Sequence, residues 1–587
     1  MHALLPSPDF ASTTFRVGRA GLWLVLAFGF CAKGDARAQV GPSHYVVALS
    51  DKTWGATYPY TLEAPEAYLS TRALARRARQ GISVDSLDLP VSEEVLNALD
   101  ALEDWQVLHA SRWMSSVVVE ARDSLADTTA LTSLPFVEGL KSLPRGRRQL
   151  PDVPSLGRPK NTVAPQVYGQ GWLPLTQLHA EPLHALGFQG QGMWIAVFDA
   201  GFQNLMSLDA FATLRDEGRL VVNSGANIAF GGDHVFGHSR HGTSVLGTMG
   251  ACWTDSLIGT APKATYFPYV TEDVTREVRL EEEHWIVAAE HADALGVDLI
   301  NTSLGYSLFD DSTQHHLVSD LDGRTARISV ASEHAASRGM LVVTSAGNNG
   351  DDPWHFITFP ADAHGILAVG AVNAEGERGW FSGYGPASDG RVKPDVMAHG
   401  VAAAYPRHDG TVATGNGTSF ASPILCGAAA CLWQAHPEAT AAQIREAIVQ
   451  SAHLYTSPTA GMGHGIPDFG LAHTLLGGTL GATNAGAQGA HLRLFPNPLS
   501  ASGEGTLRWT LQGLDTDALA VGTSLMWRIT NASGQVVTEG QTAAWNVPLP
   551  AGHLTLDAGR LRPGTYHLQL CAESGTPCLQ APLVVLP

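Results

Sequence analysis

The chain has 587 residues, a length that predicts three or four domains of about 100–200 residues each. Hydrophobic residues make up 44 % of the chain and charged residues 16 %, which excludes an intrinsically disordered protein. The formal net charge of −19 argues against a nucleic-acid-binding protein, because that class needs a basic surface. Residues 166–490 carry 14 basic and 32 acidic side chains. We interpret this excess as a solvated, solubilising surface rather than a cleft tuned for cationic substrates.

The N-terminal residues have the pattern of an export signal. Arg16 and Arg19 precede an apolar run over residues 21–30, which is shorter than the roughly 18–20 residues that span a bilayer. Such a run is typical of a secretory signal, and the Ala-Arg-Ala motif ending at residue 38 supplies its cleavage site. The sequence therefore predicts a signal peptide over residues 1–38 and a protein that is secreted or lies at the cell surface. It predicts no membrane span in the mature chain.

The next region, residues 39–143, alternates predicted strands and helices. The strands are expected at 44–49, 113–120 and 136–143, and the helices at 65–80, 92–102 and 126–134. This alternation over about 100 residues is typical of a ferredoxin-like α+β unit. Residues 144–170 are basic and contain prolines, a composition that indicates an exposed linker open to proteolysis.

The central region repeats short apolar strands separated by helices, which predicts an α/β fold with a parallel sheet covered on both faces. One predicted helix covers residues 277–295 and ends at Gly296. Its acidic run over residues 281–283 is expected to form an exposed helix face. The predicted strands are 193–198, 220–222, 264–270, 297–302, 340–344 and 366–372.

The C-terminal region changes pattern again. Residues 477–490 are rich in Gly, Ala and Thr, as in a flexible linker. From His491 onward, short alternating runs such as 525–530, 536–539 and 566–570 predict a β-sandwich that extends to residue 587.

Cysteine is sparse for an exported protein. Cys571 and Cys578 flank a turn-rich segment, where a hairpin disulfide and two free thiols are both open alternatives. Cys252, Cys426 and Cys431 lie in apolar segments and are expected to be small buried hydrophobic residues.

Three segments carry candidate chemistry. Asp199 ends an apolar strand, His241 opens a helix rich in small residues, and Ser419 begins an apolar helix after a Gly-rich turn. Each feature alone is a weak signal. In the order Asp, His, Ser, however, they form the orienting acid, base and nucleophile of acyl transfer. The positive end of the helix dipole at Ser419 would favour a developing oxyanion.

These segments resemble the subtilisin-like serine proteases (subtilases), and the resemblance extends over residues 185–475. The Ala-Gly-Asn motif at Asn348 is similar to the oxyanion-hole segment of that family, and residues 300–305 are similar to its substrate-binding strand. Weaker similarities follow in the expected order at 359–360, 370–372, 381–382 and 393–395.

The resemblance implies a role for each of these residues and a three-layer subtilisin-like fold. Asp199 would orient His241, His241 would act as the base, Ser419 as the nucleophile and Asn348 as the oxyanion donor. Three residues of the substrate-binding strand would pair with the substrate, and the floor of the main specificity pocket would favour medium-sized rather than charged side chains. The substrate-binding residues are Ser303, Leu304 and Gly305, and the pocket floor is Thr358.

A second resemblance covers the regions on either side. Lys52 and the segments 68–74, 76–77, 88–90 and 135–137 are similar to the proregion of subtilases exported by the type IX secretion route. This similarity implies that residues 39–165 are a propeptide, with its linker, that assists folding and inhibits the enzyme until it is cut between about 145 and 170. In the central region, residues 271–273, 282–285 and 303–306 fit the same subgroup.

The C-terminal domain, residues 491–587, resembles a secretion sorting domain at segments 494–498 and 564–566. It lacks the basic residue usually found near the end of such domains, and a carbohydrate- or surface-binding module is the alternative. The implied partners are protein or peptide substrates, the protein's own propeptide and the secretion machinery.

No cofactor is required by this interpretation, and no metal ligand is assigned. Calcium occurs in many subtilases, but the candidate acids lack a complete ligand pattern and are expected to be ordinary loop residues. These acids are Asp255, Asp310, Asp311, Asp320 and Asp322.

The predicted protein is a secreted serine endopeptidase with a catalytic domain over residues 166–476. The alternatives are a catalytically silent surface or adhesion protein on the same scaffold, and a peptide ligase that uses the same acyl-enzyme. A silent relative would be expected to lack at least one of the catalytic residues or Asn348.

Overall fold

The computed structural model describes residues 44–123, 126–144, 167–407 and 409–478, together with strands between residues 491 and 586. The predicted signal peptide, residues 145–166 of the predicted linker and cleavage region, and residues 479–490 lie outside the described residues.

The N-terminal domain is a four-stranded antiparallel sheet with helices inserted between its strands. The strand order β2-β3-β1-β4, with β1 between β3 and β4, is that of a ferredoxin-like unit and confirms the prediction. Its elements are β1 (His44–Leu49), α1 (Thr71–Gln80), α2 (Glu93–Asp100), β2 (Trp105–Ser111), β3 (Ser116–Ala121), α3 (Thr128–Thr132) and β4 (Val137–Leu143).

Two elements of this domain differ from the predictions. Helix α1 begins at Thr71 rather than at residue 65, because the Ser70 side chain accepts the Ala73 N–H and caps the helix there. Strand β2 was not predicted. Its burial does not alternate, since only Trp105 and Ser111 at its two ends are fully buried.

The central domain contains a six-stranded parallel sheet with the strand order β12-β11-β10-β9-β5-β8. The predicted strand at 220–222 is absent, and Leu220 forms only an isolated bridge to Tyr266. The edge strand β12 was not predicted. The sheet strands are β5 (Trp194–Asp199), β8 (Thr265–Val270), β9 (Leu299–Thr302), β10 (Leu341–Ser345), β11 (Leu367–Val372) and β12 (Val396–His399). Two short ribbons add β6 (Cys252–Trp253), β7 (Leu257–Ile258), β13 (Ala403–Pro406) and β14 (Val412–Gly415).

Helices cover this sheet and complete the predicted α/β fold. Helix α10 packs along β9, β10, β11 and β12 and against α7, whereas α8 packs against α9 and β5. The helices are α4 (Trp172–Gln177), α5 (Glu181–Ala185), α6 (Ala212–Asp216), α7 (His241–Gly250), α8 (Leu280–Leu295), α9 (Arg327–Ser337), α10 (Thr418–Ala435), α11 (Ala441–Gln450) and α12 (Phe469–Leu475).

The prediction that residues 281–283 form an exposed helix face is wrong. Glu281, Glu282 and Glu283 are 2 %, 2 % and 3 % exposed. Glu281 accepts two backbone N–H groups ahead of α8, Glu282 pairs with His316 at 2.5 Å, and Glu283 pairs with Arg327 at 2.7 Å. Buried carboxylates are tolerated only when they are paired or hydrogen-bonded. All three therefore tie the first turn of α8 to its surroundings.

The C-terminal strands form two sheets, one of three strands (β15-β17-β20) and one of five (β16-β22-β21-β18-β19). This strand content agrees with the predicted β-sandwich domain. The strands are β15 (His491–Phe495), β16 (Leu499–Ser500), β17 (Glu504–Gln512), β18 (Leu525–Asn531), β19 (Val536–Gln541), β20 (Ala551–Asp557), β21 (Gly564–Ala572) and β22 (Cys578–Leu586).

The cysteines fall into three situations. Cys426 and Cys431 on α10 are fully buried, as predicted. Cys252, in the short strand β6, is only half-buried, so the prediction of a buried residue is wrong at this position. Cys571 and Cys578 are paired in register on β21 and β22, but their side chains lie outside the described residues, so a disulfide and two free thiols both stay open.

Across the part of the chain that the structure describes, none of the helices combines the length and apolar character needed to cross a membrane.

Candidate active site

A carboxylate and an imidazole meet where β5 ends. Asp199 is the last residue of β5 and is completely buried, and His241 is the first residue of α7. The Nδ1 atom of His241 lies 2.9 Å from both carboxylate oxygens of Asp199. The Ala200 N–H also donates to Oδ1 of Asp199 at 2.8 Å, which helps to fix the orientation of the carboxylate.

Gly242 allows this close approach of α7 to β5. A Cβ atom at this position would lie 2.6 Å from the Gly201 carbonyl oxygen and 2.9 Å from Cβ of Asp199, distances that real Cβ atoms do not adopt. The glycine after the histidine is therefore a steric requirement of the Asp199–His241 contact.

Electrostatics at this pair favour a charged imidazole. Burial lowers the pKa of His241, but the negative charge of Asp199 and its hydrogen bond raise the pKa by more, so that it lies above the ordinary value of 6.5. The imidazolium that forms when a base accepts a proton is thus stabilised in place.

A second buried carboxyl group, that of Glu272, lies within electrostatic range of Asp199. Glu272 follows β8 and is buried, and burial raises its pKa to about 8. The Tyr306 hydroxyl donates to Glu272 at 2.6 Å, and the Thr271 hydroxyl donates at 2.9 Å. At neutral pH Glu272 is therefore largely protonated and adds little negative charge to this region.

Ser419 lies in the first turn of α10, beside this pair. Its neighbour Phe420 places its ring 6.4 Å from the His241 ring, measured between centroids. Gly417 precedes the helix, and a Cβ atom there would lie 2.7 Å from Ser419 Oγ. Among the described residues no hydrogen bond joins Ser419 Oγ to His241. Such bonds are often long in enzymes without substrate and tighten when it binds.

Asn348 is held against the same helix start. Its side-chain oxygen accepts both the Thr418 N–H and the Thr418 hydroxyl, each at 2.9 Å. Because the oxygen of the carboxamide is engaged in this way, its NH₂ group is directed away from Thr418 and remains available as a donor. Asn348 is exposed, in agreement with a donor that faces a substrate.

A buried polar chain, which the sequence analysis did not assign, connects α10 to β9. The Ser422 hydroxyl donates to Asn301 at 2.9 Å, the Asn301 amide donates to Ser303 at 3.1 Å, and the Ser303 hydroxyl donates to the Ser419 carbonyl at 2.9 Å. Ser422 is one helical turn beyond Ser419 on an otherwise apolar helix, and that polar position was the available signal. This chain fixes Ser419 relative to the substrate-binding strand.

The predicted substrate-binding segment 303–305 lies beside the segment that carries Asn348. The Ser345 hydroxyl donates to the Leu304 carbonyl at 2.8 Å and links residues 303–305 to the segment that carries Asn348. Thr358 lies between them, because Cβ atoms on Gly305 and Gly347 would lie 2.1 Å and 2.7 Å from Thr358 Oγ1. Thr358 is 2 % exposed, and its hydroxyl has no hydrogen-bond partner among the described residues.

The N-terminal domain binds the face of α8 with arginines. Asp293 on α8 pairs with Arg76 at 2.5 Å, with Arg77 at 2.7 Å and with Arg112 at 3.0 Å. Both Arg76 and Arg77 are almost completely buried. Removing one member of such a buried network costs about 3–5 kcal/mol, because its partner is left unpaired.

A second carboxylate on α8 binds backbone groups of the N-terminal domain. Glu290 accepts the Ser111 hydroxyl at 2.5 Å and the N–H groups of Arg112 and Trp113 at 2.9 Å and 3.1 Å. The turn between β2 and β3 is therefore held directly on the central domain.

Two of the acids considered as calcium ligands cap local turns. Asp311 accepts the N–H and hydroxyl of Thr313, and Asp322 accepts the N–H groups of Arg324 and Thr325. Within the described residues, no group of three or more His, Cys, Asp or Glu side chains is placed to hold a metal ion.

Comparison with known proteins identifies the central domain. A family model described as the subtilase family matches residues 190–488. The chain belongs to the subtilase family. A second model, described as the peptidase S8 propeptide domain of Bacteroidota, matches residues 44–152. The predictions of a subtilase and of an N-terminal propeptide domain are thus confirmed.

Individual subtilases align with the central domain. Subtilisin NAT from Bacillus subtilis subsp. natto and subtilisin E from Bacillus subtilis (strain 168) are each 31 % identical over 282 residues. The alignments cover 47 % of this chain and 65 % of each relative, so the chain spans less than two thirds of the relatives' length. A solved structure of a protease from Pseudoalteromonas arctica is 20 % identical with a TM-score of 0.38, over 53 % of this chain and 100 % of that chain.

Proposed function

We propose that this protein is a secreted serine endopeptidase made as a proenzyme, with Asp199, His241 and Ser419 as its catalytic triad. The observation that carries the proposal is the buried Asp199 carboxylate bonded to His241 Nδ1 at 2.9 Å, next to the start of the helix that bears Ser419. This arrangement supports acyl transfer, because it leaves Nε2 of the imidazole free to accept a proton.

The proposed reaction begins at the serine. Nε2 of His241 takes the proton from Ser419 Oγ, and the oxygen attacks the carbonyl carbon of the scissile peptide bond. The resulting imidazolium is stabilised by Asp199. It then gives its proton to the leaving amine, and an acyl-enzyme remains. In the second half of the reaction, His241 takes a proton from a water molecule, and the water oxygen attacks the acyl carbon. His241 then returns the proton to Ser419 Oγ, which leaves as the hydroxyl group.

The negative charge on the substrate oxygen would be bound by two donors. One is the NH₂ group of Asn348, which is oriented by the bonds to Thr418. The other is the backbone N–H of Ser419 at the positive end of α10. Donors of this kind are typically worth about 10²–10³ in kcat each.

The extended segment of Ser303, Leu304 and Gly305 would bind the acyl side of the substrate. An extended peptide that pairs with such a segment is held by backbone hydrogen bonds, so recognition falls to alternate side-chain pockets. Ser303 also bonds the Ser419 carbonyl at 2.9 Å, so the proposed binding strand and nucleophile are mechanically coupled.

The N-terminal domain would act as a folding template and inhibitor until it is cut. Its arginines meet the buried carboxylate of Asp293, and its β2–β3 turn meets Glu290. Without this domain these acids of α8 would have to be solvated or unpaired. We place the cut between about residues 145 and 170, in the basic, proline-containing segment.

Two alternatives remain distinguishable by experiment. A silent surface protein on this scaffold would retain the fold but lack reactivity at Ser419. A peptide ligase would form the same acyl-enzyme but transfer it to an amine, which product analysis with an added amine would detect.

Replacing Ser419 by Ala tests the proposed triad. We expect Ser419→Ala to abolish both covalent labelling by a fluorophosphonate and cleavage of casein, because the attacking oxygen is absent. Ser457→Ala, at an exposed serine outside the proposed site, serves as the matched control and is expected to keep both. Undiminished labelling of the Ser419→Ala protein would contradict the assignment.

We also propose that Thr358 limits the depth of the specificity pocket. Its side chain fills the gap between Gly305 and Gly347, which supports a preference for short or medium-sized, uncharged substrate side chains. A long charged side chain would meet the buried hydroxyl of Thr358 rather than an ionic partner at this position.

A peptide-library profile tests this role of Thr358. We expect Thr358→Gly to raise kcat/KM for Phe relative to Ala at the scissile position by about 10-fold, in the range of a methylene-sized change in a pocket. The similarly shaped Thr358→Val should keep the wild-type preference for size. A wild-type profile dominated by Lys or Arg, or no change in Thr358→Gly, would contradict the proposal.

The proposed export route has two removable segments. Residues 1–38 would direct export and be cleaved, and residues 491–587 would be the type IX sorting domain that carries the protein across the outer membrane.

Mass spectrometry of the secreted protein tests both segments. We expect peptides from the catalytic domain but none from residues 1–38 or 491–587, and we expect a truncation after residue 490 to remain inside the cell. Recovery of the C-terminal strands in equal amount with the catalytic domain would favour a surface-binding module instead.

A further inference from the structure

A cavity of about 190 Å³ opens between the start of α7 and β13. Its lining includes Arg240, which directly precedes His241, and Tyr405 on β13. The Tyr405 ring stacks on that of Phe420 with 5.2 Å between centroids, so the cavity borders the residue that follows Ser419. The proposed triad and substrate strand do not use this space.

Two guanidinium groups line the cavity from different elements. Arg240 lies at the start of α7, and its Nε donates to the side-chain oxygen of Gln203 at 3.1 Å. Arg407 follows β13, and its Nη1 lies 3.5 Å from Asp409 in an exposed pair. Exposed pairs are worth little, so Arg407 can exchange this partner for another carboxylate. None of the described residues that line the cavity is acidic.

The walls of the cavity are held in a fixed position. Pro406 packs directly against α7, since a Cβ atom on Gly247 would lie 2.2 Å from its Cδ. The Thr243 hydroxyl donates to the Gln203 carbonyl at 2.8 Å, which ties α7 to the segment after β5. Both arginines are therefore carried on a preformed frame, which reduces the entropy lost when a ligand binds.

The cavity is placed to contact the leaving half of the substrate, on the C-terminal side of the scissile bond. The acyl half would pair with Ser303–Gly305, in the segment after β9. The leaving half receives its proton from His241, so it must pass the imidazole. The cavity adjoins this region through Arg240, which precedes His241, and through Tyr405, which stacks on Phe420. A residue a few positions after the scissile bond would reach it.

We infer that this cavity is a subsite for a carboxylate on the leaving half of the substrate, supplied by an acidic side chain or by the free C-terminus; this inference rests on the proposed endopeptidase function. The guanidinium fork matches a carboxylate in planar, charge-assisted geometry. The setting adds weight, because residues 166–490 carry 32 acidic and only 14 basic side chains. Two arginines at one cavity supply the local positive charge that an acidic substrate needs to approach such a surface.

Quenched fluorescent peptides test the subsite in the active enzyme made from the full chain. All peptides share one acyl half, and their leaving halves carry either Glu or Gln at the second, third or fourth residue after the scissile bond. A further pair ends shortly after the bond in a free carboxylate or an amide. We expect at least one acidic peptide to exceed its neutral partner in kcat/KM by about 5- to 10-fold, and this ratio to fall with added salt.

The pair that shows the effect identifies the source of the carboxylate. A ratio confined to the Glu/Gln pairs assigns an internal acidic side chain, and a ratio confined to the last pair assigns the free C-terminus. Ratios near 1 for every pair contradict the inference.

Substitutions at Arg407 link the preference to this cavity. We expect Arg407→Gln to bring the acidic-to-neutral ratio close to 1, and Arg407→Glu to favour Lys over Gln at the same position. The exposed arginine Arg324, which lies elsewhere on the domain, provides the control: Arg324→Gln keeps the wild-type ratio. A ratio that survives in both Arg407→Gln and Arg240→Gln would also contradict the inference.

Fluorophosphonate labelling distinguishes failure of this subsite from failure of the proposed endopeptidase function. An enzyme that is labelled and cleaves the neutral peptides, but with ratios of 1, retains the proposed function and lacks this subsite. A protein that is neither labelled nor active contradicts the proposed function itself.

Discussion

The proposed active site depends on the hydrogen bond between Asp199 and His241. The carboxylate is completely buried at the end of β5, and a buried charge without a partner costs about 3–5 kcal/mol. The imidazole must therefore stay within bonding distance, and α7 must approach β5 closely enough to hold it there. Gly242 permits that approach, and the parallel sheet delivers Asp199 to its carboxyl edge, where sites in such folds form.

The acidic charge of the central domain has more than one role. Part of it lies in a solvated surface, as the composition indicates. On α8, however, five carboxylates are buried, and Glu290 and Asp293 bind the N-terminal domain through backbone groups and arginines. Some of the acidic residues that the composition assigns to a solubilising surface are therefore buried at the interface with the propeptide domain.

Much of the fold and site could be predicted because the signals are local. Asp199, His241 and Ser419 each stand at the end or start of an element, beside small residues that mark close packing. The burial of Glu282 and Glu283 could not be predicted in this way, because their partners, His316 and Arg327, lie more than 30 positions further along the chain. The chain from Ser422 through Asn301 to Ser303 was missed for the same reason: only the tertiary fold shows which polar groups satisfy one another.

The pH dependence of fluorophosphonate inactivation tests the central interaction most directly. The base must be neutral to accept the serine proton, so the second-order rate constant should rise with pH through an apparent pKa above 6.5, the ordinary value for histidine. In Asp199→Asn the cause that raises this pKa is gone while burial remains, so the account predicts a lower apparent pKa and a rate reduced by about 10⁴-fold. The same apparent pKa and a similar rate in both proteins would contradict the account.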